Sequence, residues 1–156
     1  LNADVINIHG GGGYGDKPKA LGRFIKVFRK LSRRVRERLT VENDDRIYTP
    51  DDLLVLCEKT GIPLVYDVHH HRCLPDSFTV EQATDKALAT WNREPLFHIS
   101  SPREGWKSKK IQYHHDYINI QDWPLYWNNI DITVEVEAKA KELAVKRLRE
   151  QLACQA

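Results

Sequence analysis

The stretch Ile62-Pro63-Leu64-Val65-Tyr66-Asp67-Val68-His69-His70-His71 decides how the rest of the chain is read. Ile62 to Tyr66 is a short aliphatic and aromatic run of the kind that forms a buried strand. Asp67 ends it, and three histidines follow at once. The histidine run is internal and leaves directly from an apolar strand, which sets it apart from a purification-tag remnant. Asp67 and His70, three residues apart, can aim a carboxylate and an imidazole at one point. A buried strand that delivers polar side chains at its carboxyl end is the arrangement on which parallel α/β proteins build their sites.

The same rhythm appears on both sides. Upstream, Thr49-Pro50-Asp51-Asp52 starts a helix, with Thr49 as N-cap, proline in the first turn and acids beside it, and Gly61 closes it. Before that, Leu39-Thr40-Val41 is a strand ending at Glu42. Lys19 to Arg38 has apolar residues at Leu21, Phe24, Ile25, Phe28, Leu31 and Val35, a helical spacing. Val5 to Ile8 is a strand ending at His9, followed by the glycine loop Gly10 to Gly13. Downstream, Thr79 and Gln82 stand in capping-box spacing at a helix start. Leu96-Phe97 is a strand ending at His98. Ile130 to Val136 is a fifth strand, with a helix from about Ala138 to Leu152. Strands alternating with helices predict an α/β fold with a parallel sheet. Either an open doubly wound sheet or part of a (β/α)8 barrel fits. A complete barrel does not, because it takes eight strands and about 250 residues.

Composition narrows the function classes. The 156 residues are 41% hydrophobic, enough for one core. The 24 Lys and Arg against 22 Asp and Glu leave +2, so net charge alone does not grip nucleic acid. No apolar run of about 18 residues predicts a membrane span, and no basic-then-apolar leader opens the chain. Cys57, Cys73 and Cys154 are odd in number and far apart. That pattern predicts reduced thiols and an intracellular setting rather than a disulfide framework or a thiolate zinc site. A start at Leu1 and the lack of any methionine fit either a processed or trimmed piece or a sequence from which methionines have been lost.

His9, Glu42, Asp67, His98 and Glu137 fall at or just past the carboxyl ends of five different predicted strands. Any one of them alone reads as an ordinary hydrogen-bonded polar residue. Five at equivalent topological points predict one site. Imidazole nitrogens and carboxylate oxygens without thiolate suit Mn²⁺, Zn²⁺ or Fe²⁺. Glu135 and Glu137 share parity on the last strand, so either can be the ligand there. His114 and His115 alone read as surface histidines. The eight cations between Arg23 and Arg38 read as the solvated outer face of a helix. The loop from Ser100 to Lys110 leaves the carboxyl end of the His98 strand. It offers Arg103, Lys107, Lys109 and Lys110 to phosphates and Trp106 to a base. The segment from Gly10 to Lys17 lacks the Lys-Ser/Thr of a Walker loop, yet its glycines let a phosphate or base approach closely beside Tyr14 and Lys17.

Taken in order, six segments resemble the UV damage endonuclease family. They are His9 with Gly13-Tyr14-Gly15-Asp16-Lys17, Glu42-Asn43-Asp44-Asp45, Asp67-Val68-His69-His70-His71, His98-Ile99-Ser100-Ser101-Pro102, His114-His115-Asp116-Tyr117-Ile118, and Glu137-Ala138-Lys139-Ala140-Lys141-Glu142. The resemblance runs through essentially the whole chain. It implies a TIM barrel related to endonuclease IV, of which residues 1–156 supply about the last five β/α units of a single endonuclease domain. It implies a DNA repair enzyme that cuts the backbone immediately 5′ to cyclobutane pyrimidine dimers and 6-4 photoproducts in an excision route. By the same resemblance, up to three divalent ions are held, Mn²⁺ foremost, with Zn²⁺ or Mg²⁺ as alternatives. Glu42 bridges two of them, and Asp67, His98 and Glu137 complete the shell of one. His9 binds the second, and His70 and His114 hold the third. Tyr14, Lys17, Arg103, Trp106, Lys107, Lys109 and Lys110 are the expected contacts to UV-damaged double-stranded DNA. The family's pattern favours Glu137 over Glu135. It also places a lysine, thought to be carboxylated, where this chain has Leu96. A missing amino-terminal barrel segment, or a partner chain, is expected to complete the fold. Two other readings remain: a sugar isomerase or epimerase on a related barrel, and a non-catalytic half-barrel.

Overall fold

The computed structural model describes residues 5–154. Five strands, β1 (Ile6–His9), β2 (Leu39–Glu42), β3 (Leu64–Asp67), β4 (Leu96–Ile99) and β5 (Thr133–Val136), pair in the order β1-β2-β3-β4-β5. Every pair is parallel. A doubly wound sheet reverses its strand order at a switch point. Here the order never reverses, so the chain forms five consecutive β/α units of a (β/α)8 barrel.

Six helices connect and flank the strands: α1 (Lys17–Phe28), α2 (Arg33–Arg36), α3 (Pro50–Thr60), α4 (Val68–Cys73), α5 (Val80–Leu88) and α6 (Glu142–Ala153). The start of α3 follows from its residues. The Thr49 side chain accepts from the Asp52 N–H, the Asp52 carboxylate answers to the Thr49 backbone, and Pro50 sits where no amide is needed. Gly61 ends the helix at φ 73°, a left-handed conformation costly for any residue with a Cβ. Thr79 and Gln82 form the equivalent box on α5.

Two expectations change, and one stretch that the sequence leaves unassigned proves helical. The helix read over Lys19 to Arg38 is two helices. Its second half buries none of its residues, and Ser32 takes an extended conformation that restarts the helix as α2. The histidine run is helical. Asp67 caps it by accepting from the His70 N–H, so the strand passes straight into α4. The last helix starts at Glu142, later than Ala138, after a turn in which Lys141 has φ 52°. Two 3-10 turns, Ile120–Asp122 and Leu125–Asn129, occupy a region that carries no periodic signal in the sequence.

The strands alternate between two faces. Tyr66, Phe97 and Ile99 pack with Leu53, Leu56, Ala83, Ala87 and Trp127 in the layer between sheet and helices. The opposite parity carries Asn7, His9, Thr40, Glu42, Asp67, Leu96 and His98 toward the barrel interior. β2 and β3 are buried throughout. β1 and β5 each have one neighbour and are partly exposed among the described residues, with Ile6 at 44%. An open cavity of about 610 Å³, lined by Val5, Leu96 and Thr133 among others, lies at the amino-terminal side of the sheet.

Candidate metal centre and nucleic-acid surface

Register brings the candidate ligands level. His9 lies beside Glu42 across the β1–β2 pair, and Asp67 beside His98 across β3–β4. One carboxylate sits at the middle. Glu42 Oε1 is 3.3 Å from His70 Nδ1 and 3.3 Å from His98 Nδ1, while Oε2 is 3.6 Å from His9 Nε2. The Asn7 amide donates to Oε2, and Thr40 Oγ1 donates to Asn7 Oδ1 at 3.1 Å. Polar residues of the interior face thus hold Glu42 from below.

The remaining side chains close around it. Asp67 Oδ2 is 3.4 Å from His70 Nδ1. Glu137 Oε1 is 3.3 Å from His98 Nδ1, and Oε2 is 3.7 Å from His114 Nδ1. Three sets emerge whose ligand atoms lie within 4.8 Å of one another: Glu42, His98 and Glu137; Glu42, Asp67 and His70; and His70, His114 and Glu137. His9 touches Glu42 but joins none of the three.

Several of these atoms are buried without a hydrogen-bond partner: Glu42 Oε1, Asp67 Oδ2 and both nitrogens of His98. Buried polar atoms normally find partners, and leaving them bare costs free energy. A divalent cation would satisfy the oxygens and one ring nitrogen of each imidazole. The donor set is nitrogen and oxygen only, as suits Mn²⁺, Zn²⁺ or Mg²⁺. None of the cysteines takes part; Cys57 is buried, and burial pushes its thiol up to about 12. The residues therefore fit a divalent metal.

Protons compensate the charges in the metal-free protein. Burial disfavours a charged Glu42, but the His70 and His98 rings, each 3.3 Å from Oε1, outweigh it and hold its carboxyl far below the usual range. Burial likewise opposes charge on His98, yet Glu137 and Glu42 push it up to about 10. His70 is pushed up to about 9, where the contacts with Glu42 and Asp67 overcome desolvation. Fully buried Asp67 moves opposite to Glu42: desolvation raises its carboxyl. Such opposed shifts in one cluster are typical of functional sites.

Outer contacts fix the geometry. Asn43 is fully buried and clamps the Asp67 backbone, donating to its carbonyl and accepting from its N–H, both at 2.9 Å. The Asn43 carbonyl lies 3.0 Å from His70 Nδ1. A carbonyl can only accept, so Nδ1 carries a proton toward it, and Nε2 is the nitrogen that would give up its proton to ligate an ion. His71 turns away from the site, its nitrogens 2.7 Å from Tyr66 Oη and 3.0 Å from Asp76 Oδ1. His69 is buried against Trp106 and His114, at ring separations of 5.2 and 5.3 Å, and burial lowers it to about 4.

His114 reaches the site because the chain from Ser101 to His115 folds back on itself. Pro102 bridges His114, Arg103 N–H donates to the Tyr113 carbonyl at 2.6 Å, and His115 N–H donates to the Ser101 carbonyl at 2.8 Å. The excursion between these bridges carries the expected DNA contacts. Trp106 is anchored by its indole N–H to Asp122 at 2.7 Å and keeps 37% of its surface exposed. Lys107, Lys109 and Lys110 are exposed. Arg103 is exposed but pairs with Glu104 at 3.1 Å. Across the site, Tyr14 is 82% exposed at φ 50°, with Arg23 against its ring. Lys17 is tied to Asp52 at 2.7 Å, which spends its charge locally.

Sequence reasoning named the side chains that cluster here but missed Asn7, Thr40 and Asn43, which hold Glu42 and Asp67. Asn7 and Thr40 share the parity of His9 and Glu42, a signal that could have found them. Asn43 had none, because its clamp on Asp67 spans two strands.

Comparison with known proteins identifies the family of the chain. The family model described as UV-endonuclease UvdE matches residues 1–155. The UV DNA damage endonuclease of Bacillus velezensis is 38% identical over 161 residues, covering 97% of this chain and 49% of that protein. The UV DNA damage endonuclease of Bacillus cereus strain G9842 is 36% identical over 159 residues, with the same coverage of 97% and 49%. A solved structure titled as the crystal structure of SacUVDE superposes with a TM-score of 0.82 at 33% identity, covering 95% of this chain and 52% of that one. The chain spans about half the length of the curated relatives it matches. It belongs to the UV-endonuclease UvdE family.

Proposed function

We propose that this chain is the carboxyl-terminal part of a single TIM-barrel DNA repair endonuclease that hydrolyses the phosphodiester bond immediately 5′ to UV photoproducts, cyclobutane pyrimidine dimers and 6-4 photoproducts, with Mn²⁺ as the first choice of up to three divalent ions. The observation that carries the reading is the cluster of buried, unpartnered carboxylate and imidazole atoms around Glu42 at the carboxyl edge of the sheet. Glu42, Asp67, His98 and Glu137 are the residues that would hold the reacting phosphate's ions, with His9, His70 and His114 completing the shells. Divalent ions held there supply Lewis-acid polarisation of the phosphate and lower the pKa of an attacking water. The chain's own share is orientation. Asn43 fixes Asp67, Asn7 fixes Glu42, and the Asn43 carbonyl sets the tautomer of His70.

The surface around the cluster supports a nucleic-acid substrate over a small sugar. Trp106, Lys107, Lys109 and Lys110 stand exposed on the excursion that also positions His114. Those groups suit stacking and phosphate contact. The open edges of β1 and β5 fit an expectation that a further barrel segment, in the same protein or in a partner chain, completes the wall. An intracellular setting goes with this substrate, and no described helix is long and apolar enough to cross a membrane.

The test is a nicking assay of the complete protein on irradiated and unirradiated plasmid, with Mn²⁺ and with chelator. Metal-dependent nicking confined to irradiated plasmid is expected. Turnover of sugars without nicking would move the reading to an isomerase. Metal binding without either activity would move it to a non-catalytic half-barrel, the outcome that Leu96 in the interior wall keeps in view.

A further inference from the structure

Glu135 is the other acid that parity places on the interior face of β5. It joins none of the three candidate ligand sets, although it stands level with His98, a member of one of them. Its cross-strand partner is His98, and Glu135 Oε2 is 3.4 Å from His98 Nε2. The opposite ring nitrogen, Nδ1, is the one 3.3 Å from both Glu42 and Glu137. His98 is 4% exposed and neither ring nitrogen has a hydrogen-bond partner. Leu96, two residues earlier on the same face of β4, offers no polar group to compete for Nε2.

An imidazole ligates through a nitrogen that carries no proton, so the remaining proton must sit on the other nitrogen. Which nitrogen keeps it is set by the acceptor nearby. We infer that Glu135 is a positioning residue: its carboxylate holds the Nε2–H of His98 and so presents the Nδ1 lone pair to the site formed with Glu42 and Glu137. This inference rests on the metal reading above. It separates the two acids of β5, with Glu137 meeting the ion and Glu135 acting on it through the ring. Loss of such an outer partner costs ~10–100-fold in metal affinity. The 3.4 Å separation is long for a hydrogen bond and the Glu135 side chain is 60% exposed. The effect therefore belongs near tenfold.

The experiment compares the complete wild-type protein with Glu135→Ala and Glu135→Gln. Mn²⁺ affinity is read from the electron paramagnetic resonance signal of free Mn²⁺. The His98 tautomer is read by long-range ¹H–¹⁵N NMR of the Zn²⁺-loaded protein. Wild type should show His98 protonated at Nε2. Glu135→Ala should weaken Mn²⁺ binding about tenfold and mix the tautomer signals. Glu135→Gln, whose amide oxygen still accepts, should recover most of both. A Glu135→Ala protein with wild-type affinity and an unchanged tautomer overturns the positioning role while leaving the metal reading intact. A wild type that binds no Mn²⁺ overturns both.

Discussion

Glu42→Gln isolates the charge at the centre of the cluster, because glutamine keeps the volume and much of the hydrogen bonding. Glu42 Oε1 lies 3.3 Å from two ring nitrogens, and its side chain is 3% exposed. At an effective dielectric of about 20, each such contact between unit charges is worth roughly 5 kcal/mol before desolvation is subtracted. Desolvation opposes it, yet the Glu42 carboxyl still ends far below its usual pKa, so the ionised form is the one the folded protein favours. Glutamine resembles a permanently protonated Glu42 and forfeits that preference. Breaking a buried ion pair costs about 3–5 kcal/mol. Here the cost should be about 3, because His70 and His98 can shed protons once their shared anion is gone. Urea unfolding of the metal-free protein at pH 7, followed by tryptophan fluorescence, measures it. With metal, Glu42→Gln removes the anion common to two of the three ligand sets. Nicking should vanish while affinity for irradiated DNA stays largely intact. Near-wild-type nicking would refute the bridging role, and a metal-free variant as stable as wild type would refute the charge argument.

Two other perturbations follow from the same geometry. His70 and His98 bind protons more tightly when folded, at about 9 and about 10 against 6.5 unfolded. Their contribution is complete below about pH 6.5 and is lost as pH rises through 9 to 10. Glu42 and Glu137 are depressed below 4.5, so their contribution is present above that value and is lost as pH falls further. Denaturation curves of metal-free protein should therefore show greatest stability between about pH 4.5 and 6.5; stability rising steadily from pH 7 to 10 would contradict the assignment. Replacing Lys107, Lys109 and Lys110 together by alanine should weaken DNA binding and reduce the slope of log affinity against log salt by about 0.9 per lost phosphate contact. An unchanged slope removes the excursion from the DNA interface.

Much of the fold was legible because its signals are local. Thr49, Pro50 and Gly61 define α3 through caps that act within a few residues, and Thr79 with Gln82 does the same for α5. Strand ends were readable since Glu42, Asp67 and His98 each interrupt an apolar run at one topological level. The break between α1 and α2 was not readable. Leu31 and Val35 keep helical spacing across it, while Ser32 is extended and the four residues of α2 are all unburied. The helical form of His69 to His71 depends on Asp67 acting as both cap and candidate ligand. His114 could not be placed from its own neighbourhood. A bridge to Pro102, twelve residues back, carries it to the site. The choice between Glu135 and Glu137 was likewise closed to periodicity, since parity puts both inside. Their distances to opposite nitrogens of one ring give them different work.

The central claim is that side chains scattered from His9 to Glu137 enclose divalent cations around Glu42. An anomalous-difference map of Mn²⁺-soaked crystals tests it most directly. Peaks should lie among Glu42, His98 and Glu137, among Glu42, Asp67 and His70, and among His70, His114 and Glu137. A map with ordered side chains and no peak within coordination distance of Glu42 would contradict the account.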